Sequence, residues 1–568
     1  MKTHSQGPSF LQHVPILSIL TLAFLIRIIG VNFGLPDLYH ADEPIVVNHA
    51  LAYGAGDLNP HFFKIPPLIS YLLSLVYGVY FLIGSRMGCF KSVDNFLNLF
   101  LRDPTSFYLL GRIIFGVILG VATVYVLYRL CRKFFSREHG LIAAFFLAVC
   151  FLHVRDSHYI YVDIPLLFLA VLSFFPIFKI LERGKKKDYL LFGVLFGSAV
   201  ATKYNAVFLF APFLLSHIIR KGSFKLIFTS IELYLTLALS LCIFFTLNPF
   251  SLIDLRFFIS ELLTQSKSEG FLGFFHHFQY SLSGGMGVPL FYLSLAGVLF
   301  SFFSRGSKRL VTLSFVLVYF IVLAVCSQPY DRYVLPLLPF LSLFAADALI
   351  KIGEKIKAIQ KWPIVFAMVF AIPSIAKVSV LDYLFLQKDV RTEAREWIEQ
   401  HIPADSKIVV DISFYGPRLQ PNLKQMLQKK EETLTKTGMH QAQYKRLNLL
   451  TAQAEREPKH RYQLFFLADQ VADHQFLFSK PAVPYDLAKL KQLGVQYMIV
   501  TQTDPAAHED FYEEIRTKGE LVAVFNPYRD DQIEQPIDRL PLTGGPFLWK
   551  DLVARKANGQ QIKIYQLK

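Results

Sequence analysis

Charged residues are scarce in this sequence. Asp, Glu, Lys and Arg make up 18% of its 568 residues, whereas soluble chains carry about 25%. Hydrophobic residues reach 53%, and 55 of them are phenylalanine, which excludes a wholly soluble protein. Long apolar stretches continue to about residue 386, after which charges become dense. We therefore expect a membrane domain over 1–387 and a water-soluble domain over 388–568.

Cysteine is also rare, and several signals are missing. The five cysteines lie in or beside apolar segments and form no CxxC pair, so no disulfide framework is predicted. The first apolar run, 14–33, lacks a small-residue cleavage site and is interpreted as an uncleaved signal anchor. The formal charge of +15 collects in short clusters between apolar segments. Membrane topology explains such clusters, so we expect no nucleic-acid partner.

The apolar runs predict about eleven membrane spans, because a span needs about 20 mostly apolar residues. Basic clusters lie near 129–137, 179–187, 220–225, 305–309 and 351–361. If these clusters are cytoplasmic, the N-terminus is inside and the soluble tail is outside. That arrangement requires an odd number of crossings. We therefore expect the run 66–84, which opens with Pro66-Pro67, to be re-entrant or interfacial together with 85–105.

Adjacent carboxylates occur in the first outer loop, which runs from Pro36 to Pro44. Asp42 and Glu43 could act as a general base or ligate a divalent cation. The alternative is structural, with Asp42 as the N-cap of a helix. The sequence alone leaves both interpretations open.

Other ionisable residues at the outer face also have two interpretations each. Asp163, followed by Pro165, fits a helix start or a carboxylate that faces the first loop. Lys203 fits a snorkelling lysine or a phosphate ligand. Arg332 opens an outer span, and topology does not explain an arginine there, whereas a guanidinium binds phosphate bidentately. Before Lys203, the spacing of Gly193 and Gly197 predicts close helix packing.

Five motifs in order resemble the polyprenyl-phosphate-dependent, GT-C-type glycosyltransferases, which include protein O-mannosyltransferases and aminoarabinose transferases. The bacterial lipopolysaccharide-core subgroup is the most similar. The resemblance covers about 14–350 and rests on these elements: Asp42-Glu43, Lys64 to Leu68, Ser157 to Leu166, Gly193 to Lys203 and Arg332 to Pro339. The sequence departs from the family at three places. Ile65 follows Lys64, His158 replaces an arginine, and Tyr204 stands where glycine is common.

The resemblance implies a site that faces outward and uses a lipid-linked sugar. Asp42, Glu43 and Asp163 are then the expected catalytic residues, with Asp42 as the base. The expected substrate-binding residues are these: Lys64, His158, Lys203, Arg332 and Tyr333. A divalent metal ion at Asp42 and Asp163 is a further hypothesis. The implied partners are a polyprenyl-phosphate sugar donor, a glycan, lipid or protein acceptor of the cell envelope, and membrane lipid.

The tail alternates helix and strand signals, which predicts an α/β domain. Helices are expected at 391–401, 487–493 and 511–518, and strands at 407–412, 495–501, 521–525 and 562–566. The polar stretch 421–461 is expected to be helical and exposed.

Two other functions compete with the glycosyltransferase. A secondary transporter would place charges near mid-membrane in repeated halves, whereas here they cluster at one face and no repeat is visible. A membrane scaffold would leave the outer carboxylates and cations unexplained. We therefore expect a multi-pass enzyme of the cytoplasmic membrane that transfers a hexose or pentose, with inversion at the anomeric carbon.

Overall fold

The structure is a computed structural model that describes these residues: 13–222, 229–265, 272–304, 306–325, 330–412, 414–434, 441–467, 482–501, 508–534, 537 and 547–567. Two of the five basic clusters extend outside these ranges. Helices account for most of the described chain up to residue 386. The predicted all-helical membrane region followed by an α/β tail is confirmed.

The helices before the tail vary widely in length. They are α1 (Val14–Ile28), α2 (Glu43–Gly54), α3 (Leu68–Arg86), α4 (Val93–Arg102), α5 (Thr105–Gly111), α6 (Leu119–Phe134), α7 (Arg137–Val149), α8 (Phe151–Asp156), α9 (Asp163–Arg183), α10 (Lys186–Thr202), α11 (Phe210–Lys221), α12 (Ile231–Leu247), α13 (Phe250–Ile253), α14 (Leu255–Gln265), α15 (Leu272–Phe275), α16 (Ser283–Met286), α17 (Val288–Phe302), α18 (Ser307–Val325), α19 (Leu338–Lys355), α20 (Lys357–Lys361) and α21 (Pro363–Leu386). Short π-helical or 3₁₀ turns lie at Arg112–Ile118, Tyr204–Leu209, His276–Leu282 and Asp331–Leu337.

Six helical runs among the described residues are long and apolar enough to cross a membrane, or seven if a pair bent by 115° near Gly287 counts as one span. The predicted number of about eleven is therefore not confirmed. Several predicted spans are shorter helices here, such as α7, with 13 residues, and α11, with 12. The run at 66–84 forms the 19-residue α3, which passes the same test of length and composition. Its re-entrant course remains a prediction.

The chain divides into two compact units. The first contains Met1–Val31, Asn59–Leu72 and Leu110–Val380, and the second contains Asn32–Leu58, Leu73–Leu109 and Leu381–Lys568. The sequence did not anticipate that two stretches from the first 110 residues would join the tail in one unit. The boundary between 387 and 388 as the edge of the membrane domain remains a prediction.

Close helix packing in the first unit follows from small residues, as predicted for Gly193 and Gly197. A Cβ atom on Gly193 would lie 3.1 Å from the carbonyl oxygen of Thr236, and one on Gly197 would lie 2.5 Å from that of Ser240. The absence of side chains therefore lets α10 approach the backbone of α12. This contact fixes α10, whose C-terminal end carries Lys203.

The tail contains a mixed sheet with helices on both faces. The strands are β1 (Lys407–Val410), β2 (Gln420–Pro421), β3 (Arg461–Leu467), β4 (Ala482–Val483), β5 (Tyr497–Val500), β6 (Gly519–Phe525) and β7 (Ile562–Leu567). The helices are α22 (Val390–His401), α23 (Leu423–Leu434), α24 (Gln441–Arg456), α25 (Leu487–Gln492), α26 (Glu509–Lys518) and α27 (Trp549–Ala554). The strand order is β2-β3-β1-β5-β7-β6, with β4 beside β3.

Strand β1 lies at the centre of this sheet and is parallel to both neighbours, β3 and β5. Ile408 and Val410 enter the core on one face with Ile398, while Val409 enters the core on the other face with Met498. A strand covered on both faces needs a continuous apolar run, which is why residues 407–412 were recognisable. The two last strands, β6 and β7, pair antiparallel at the other edge.

Candidate active site

Asp163 and Lys203 form an ion pair in the first unit. Asp163 is the first residue of α9, and Lys203 follows α10 with an extended backbone. The Lys203 ammonium donates to Asp163 Oδ1 over 2.6 Å, and the carboxylate is almost fully buried. Val162, not Asp163, occupies the N-cap position of α9. Neither the capping interpretation of Asp163 nor simple snorkelling of Lys203 describes this contact.

Three tyrosines surround Lys203 and Arg332. The Arg332 guanidinium carbon lies 4.9 Å from the ring centre of Tyr161 and 5.1 Å from that of Tyr330. Tyr333 lies 5.3 Å from the Lys203 ammonium and 6.0 Å from Arg332. Because Tyr161 is also 6.0 Å from Lys203, the two cations share two aromatic rings. The structure thus brings three predicted residues, Lys203, Arg332 and Tyr333, into one neighbourhood.

A buried ion pair fixes the backbone beside Arg332. Arg155 Nη1 donates to Asp331 Oδ2 over 2.6 Å, and Nη2 donates to Oδ1 over 3.2 Å. Asp331 Oδ1 also accepts the backbone N–H of Arg332 at 2.7 Å. The bidentate geometry restricts both partners. Arg155 and Asp331 are 176 residues apart in the sequence, so no local pattern indicates this pair.

Lys64 follows Phe63, whose backbone is held by two hydrogen bonds. The backbone N–H of Phe63 donates to Glu261 Oε2 over 2.9 Å, and the Tyr204 hydroxyl donates to the Phe63 carbonyl oxygen over 2.8 Å. Tyr204 is one of the departures from the family pattern, and here it connects the end of α10 to the Lys64 element. Lys64 itself is exposed, and its predicted role in substrate binding remains a prediction.

His158 is fully buried between backbone groups. Its Nδ1 lies 2.9 Å from the carbonyl oxygen of Val154, and its Nε2 lies 2.9 Å from that of Ile29. These contacts tie the ring to α8 and to the end of α1. A substrate contact from His158 therefore remains a prediction from the sequence alone.

Asp42 and Glu43 lie in the second unit at the start of α2. Asp42 occupies the N-cap position, but its side chain makes no capping hydrogen bond. Instead, Nδ1 of His40 accepts the backbone N–H groups of Asp42 and Glu43, each at 3.3 Å. Glu43 is fully buried, whereas Asp42 is partly exposed. The imidazole therefore takes the capping function that one interpretation assigned to the Asp42 carboxylate.

A metal ion finds little support among these side chains. Within the described residues, no group of three or more His, Cys, Asp and Glu residues is placed to hold an ion. At Asp163, the Lys203 ammonium occupies Oδ1, so the cation that balances this carboxylate is already part of the protein. The metal hypothesis for Asp42 and Asp163 remains a sequence prediction, and no step below uses a metal.

Comparison with known proteins finds one family that matches part of this chain and several solved structures with the same fold. Residues 105–248 match the family described as dolichyl-phosphate-mannose-protein mannosyltransferase. The matched stretch includes Asp163 and Lys203. The comparison with curated proteins found no match.

Solved structures show the same fold. ArnT from Cupriavidus metallidurans in the apo state aligns with a TM-score of 0.52 at 11% identity, covering 98% of both chains. The same protein bound to undecaprenyl phosphate aligns with a TM-score of 0.50 at 13% identity, covering 91% of this chain and 97% of that chain. The apo oligosaccharyltransferase of Archaeoglobus fulgidus aligns with a TM-score of 0.49 at 13% identity, covering 94% of this chain and 76% of that chain. The two ArnT alignments confirm the GT-C-type fold that the sequence motifs predict.

Proposed function

We propose that this protein transfers a sugar from a polyprenyl-phosphate donor to a cell-envelope acceptor at the extracytoplasmic face of the cytoplasmic membrane. One observation carries the proposal: Lys203 and Arg332 share the rings of Tyr161 and Tyr333 at the ends of membrane helices. Charged groups at such depth are costly and default to functional roles. A paired ammonium and guanidinium suit a phosphate.

The chemistry needs stabilisation of a leaving phosphate. The acceptor hydroxyl oxygen forms a bond to the anomeric carbon of the donor sugar while the bond from that carbon to the phosphate oxygen breaks. Negative charge grows on the polyprenyl phosphate, and Lys203 and Arg332 stabilise it in the transition state. The acceptor proton goes to a carboxylate base, for which the family resemblance designates Asp42. In-line displacement inverts the anomeric carbon.

Asp163 has a positioning role in this scheme. Its contact with Lys203 holds the ammonium in one place. Arg155 acts similarly on Arg332, since it binds the carboxylate of the residue before it. Fixed cations are effective in catalysis because they need no rearrangement as charge develops. Glu43 would orient the acceptor beside the base, and this assignment rests on the family resemblance.

Two further observations support the donor class and the location. A structural neighbour, ArnT, was solved with undecaprenyl phosphate, and a ligand of that class fits the two cations here. The basic clusters at 129–137 and 179–187 favour a cytoplasmic position for the helix ends opposite Lys203 and Arg332. The tail would then be extracytoplasmic.

The direct test is sugar transfer by the purified protein. In the first experiment, the protein is reconstituted in lipid with a polyprenyl-phosphate sugar pool extracted from cell membranes. In the second, envelope glycans from cells with and without the protein are compared by mass spectrometry. We expect one glycan species to lose a sugar residue when the protein is absent, and the reconstituted protein to restore it. Unchanged glycans, together with uptake of a solute into vesicles containing the protein, would favour the transporter and contradict the proposal.

A further inference from the structure

A polar cavity lies entirely within the second unit. Its volume is about 320 Å³, and it opens between the first loop, the segment around Phe100 to Tyr108, and the tail elements α22, β2 and α24. This volume is at the lower end of the usual range for small-molecule sites, about 300–1,000 Å³. None of the predicted site residues lines it.

The lining of this cavity is strongly cationic. Five arginines contribute to it: Arg102, Arg395, Arg418, Arg446 and Arg461. The lining carboxylates are Asp37 and Glu399, and both pair with Arg395, at 3.1 and 2.9 Å. The lining therefore carries three more cations than anions. An excess of this size in a small cleft favours an anionic occupant.

Arg446 lines this cavity and has one buried donor without a hydrogen-bond partner. One of its terminal nitrogens donates to Asn48 Oδ1 over 3.0 Å, and its guanidinium lies over the ring of Phe100. Its Nε is sealed from solvent and has no hydrogen-bond partner. Buried donors in native structures are nearly always satisfied. Burial also lowers the pKa of Arg446 to about 10, as expected for a cation with no neighbouring carboxylate.

Arg461 is a second cation held by neutral groups. It donates to the backbone carbonyl oxygens of Glu457, over 2.8 Å, and Pro421, over 3.2 Å. These bonds fix the guanidinium but leave its charge without a direct carboxylate contact among the described residues. The same walls also contain apolar side chains such as Met426 and Leu450. Cations beside apolar surface suit a ligand that has a charged group and a carbon skeleton.

We propose that this cavity binds the anionic group of a saccharide, a phosphate or a carboxylate, with Arg446 and Arg461 as its principal ligands. The planar guanidinium fork matches both groups bidentately. The saccharide part rests on the proposed glycosyl transfer, since an acceptor with an acidic substituent would be held here by the tail. Anion binding itself depends only on the cavity.

The experiment measures ligand binding by the full chain in nanodiscs of zwitterionic lipid. The probes are glucose 6-phosphate, glucuronate, inorganic phosphate and glucose, and the readout is the thermal unfolding midpoint followed by tryptophan fluorescence. The titrations are run in the parent and in an Arg332→Ala background, which weakens phosphate binding at the proposed active site. We expect the two charged sugars to bind, with the same affinity in both backgrounds, and glucose not to bind.

Three variants test whether Arg446 binds the anionic group. Arg446→Gln removes one charge-assisted contact and should weaken binding of the charged sugars about tenfold to a hundredfold. Arg446→Lys keeps the charge without the fork and should lose less. Arg516→Gln is the control, because Arg516 is an exposed arginine that pairs with Glu513 outside the cavity. If Arg446→Gln does not fold, Leu450→Trp, which fills the cavity, replaces it.

Equal affinities in the parent and in Arg446→Gln would overturn the inference, and so would equal binding of glucose. Binding of inorganic phosphate without the charged sugars would overturn the saccharide part. Competition by phosphatidylglycerol added to the nanodisc would identify the occupant as a lipid headgroup and also contradict it. Failure of the glycosyl-transfer assay alone, with cavity binding intact, would remove the proposed function and leave the anion site standing.

Discussion

Substitutions at the Lys203–Asp163 ion pair can separate the structural role of Lys203 from its catalytic role. Lys203 is the only hydrogen-bonding partner of the Asp163 carboxylate among the described residues, and Asp163 Oδ2 is buried without one. Lys203→Met therefore leaves a carboxylate that is 2% exposed without compensation. Removing one partner of a buried pair costs about 3–5 kcal/mol. That is a large part of the 5–15 kcal/mol that stabilises a typical protein.

The double variant Lys203→Met/Asp163→Asn removes both charges together. Replacing a whole buried pair is often close to neutral, so we expect the double variant to recover most of the stability lost by Lys203→Met. Transfer activity should not recover, because the leaving phosphate still lacks the ammonium. Lys221→Met is the control, since the Lys221–Glu232 pair is partly exposed and spans 3.3 Å, and its loss should cost less than about 1 kcal/mol.

Unfolding free energy is measured by titrating a denaturing detergent into mixed micelles, and activity by transfer from the lipid-linked donor. Activity that returns with stability in the double variant would refute the catalytic assignment and leave Lys203 as a structural partner of Asp163. A double variant as unstable as Lys203→Met would refute the ion-pair reasoning itself.

Asp42→Asn keeps the shape of a side chain that makes no capping hydrogen bond here but cannot accept a proton, so turnover should fall about a hundredfold or more. Transfer near the parent rate would move the base to another carboxylate. Arg332→Ala should weaken donor binding and slow transfer. Arg332→Lys should restore only part of the activity, because the bidentate guanidinium geometry is lost. Full activity of the alanine variant would exclude Arg332 from the donor site. In a cysteine-free background, a membrane-impermeant reagent should label Asp57→Cys but not Lys186→Cys in intact cells, and the reverse pattern would overturn the orientation. Burial raises the pKa of Asp411 to about 6, so its ionised form destabilises the folded state. Stability should fall by about 3 kcal/mol in total as the pH rises from about 3 to about 7, with about 2 kcal/mol of this loss between pH 4 and pH 6, and Asp411→Asn should flatten this slope in denaturation curves.

The tail shows what a sequence can predict about strands. β1 and β5 were recognisable because their residues are apolar on both faces of the sheet. β3, Arg461–Leu467, was not predicted, because it opens with Arg461, Tyr462 and Gln463 and follows directly after a long helical stretch. Its place beside β1 depends on parallel pairing between residues that are 56 positions apart, such as Lys407 and Gln463, which no local pattern encodes.

The candidate site shows a similar division. Asp163, Lys203 and Arg332 could be selected from the sequence because each is ionisable beside an apolar run. Their partners could not be selected. The contact between Asp163 and Lys203 bridges 40 residues, and the support of Arg332 by Arg155 depends on two helix ends meeting in space. A sequence displays which residues are costly in a membrane but not which of them neutralise one another.

The two amides that point at His40 determine which tautomer of its ring is present. Because Nδ1 receives both N–H groups, it must carry a lone pair, and in the neutral ring the hydrogen is therefore on Nε2. A doubly protonated ring would turn an acceptor into a donor and set a positive charge against the positive end of the α2 dipole. An uncharged imidazole therefore lies at the start of α2, beside Asp42 and Glu43.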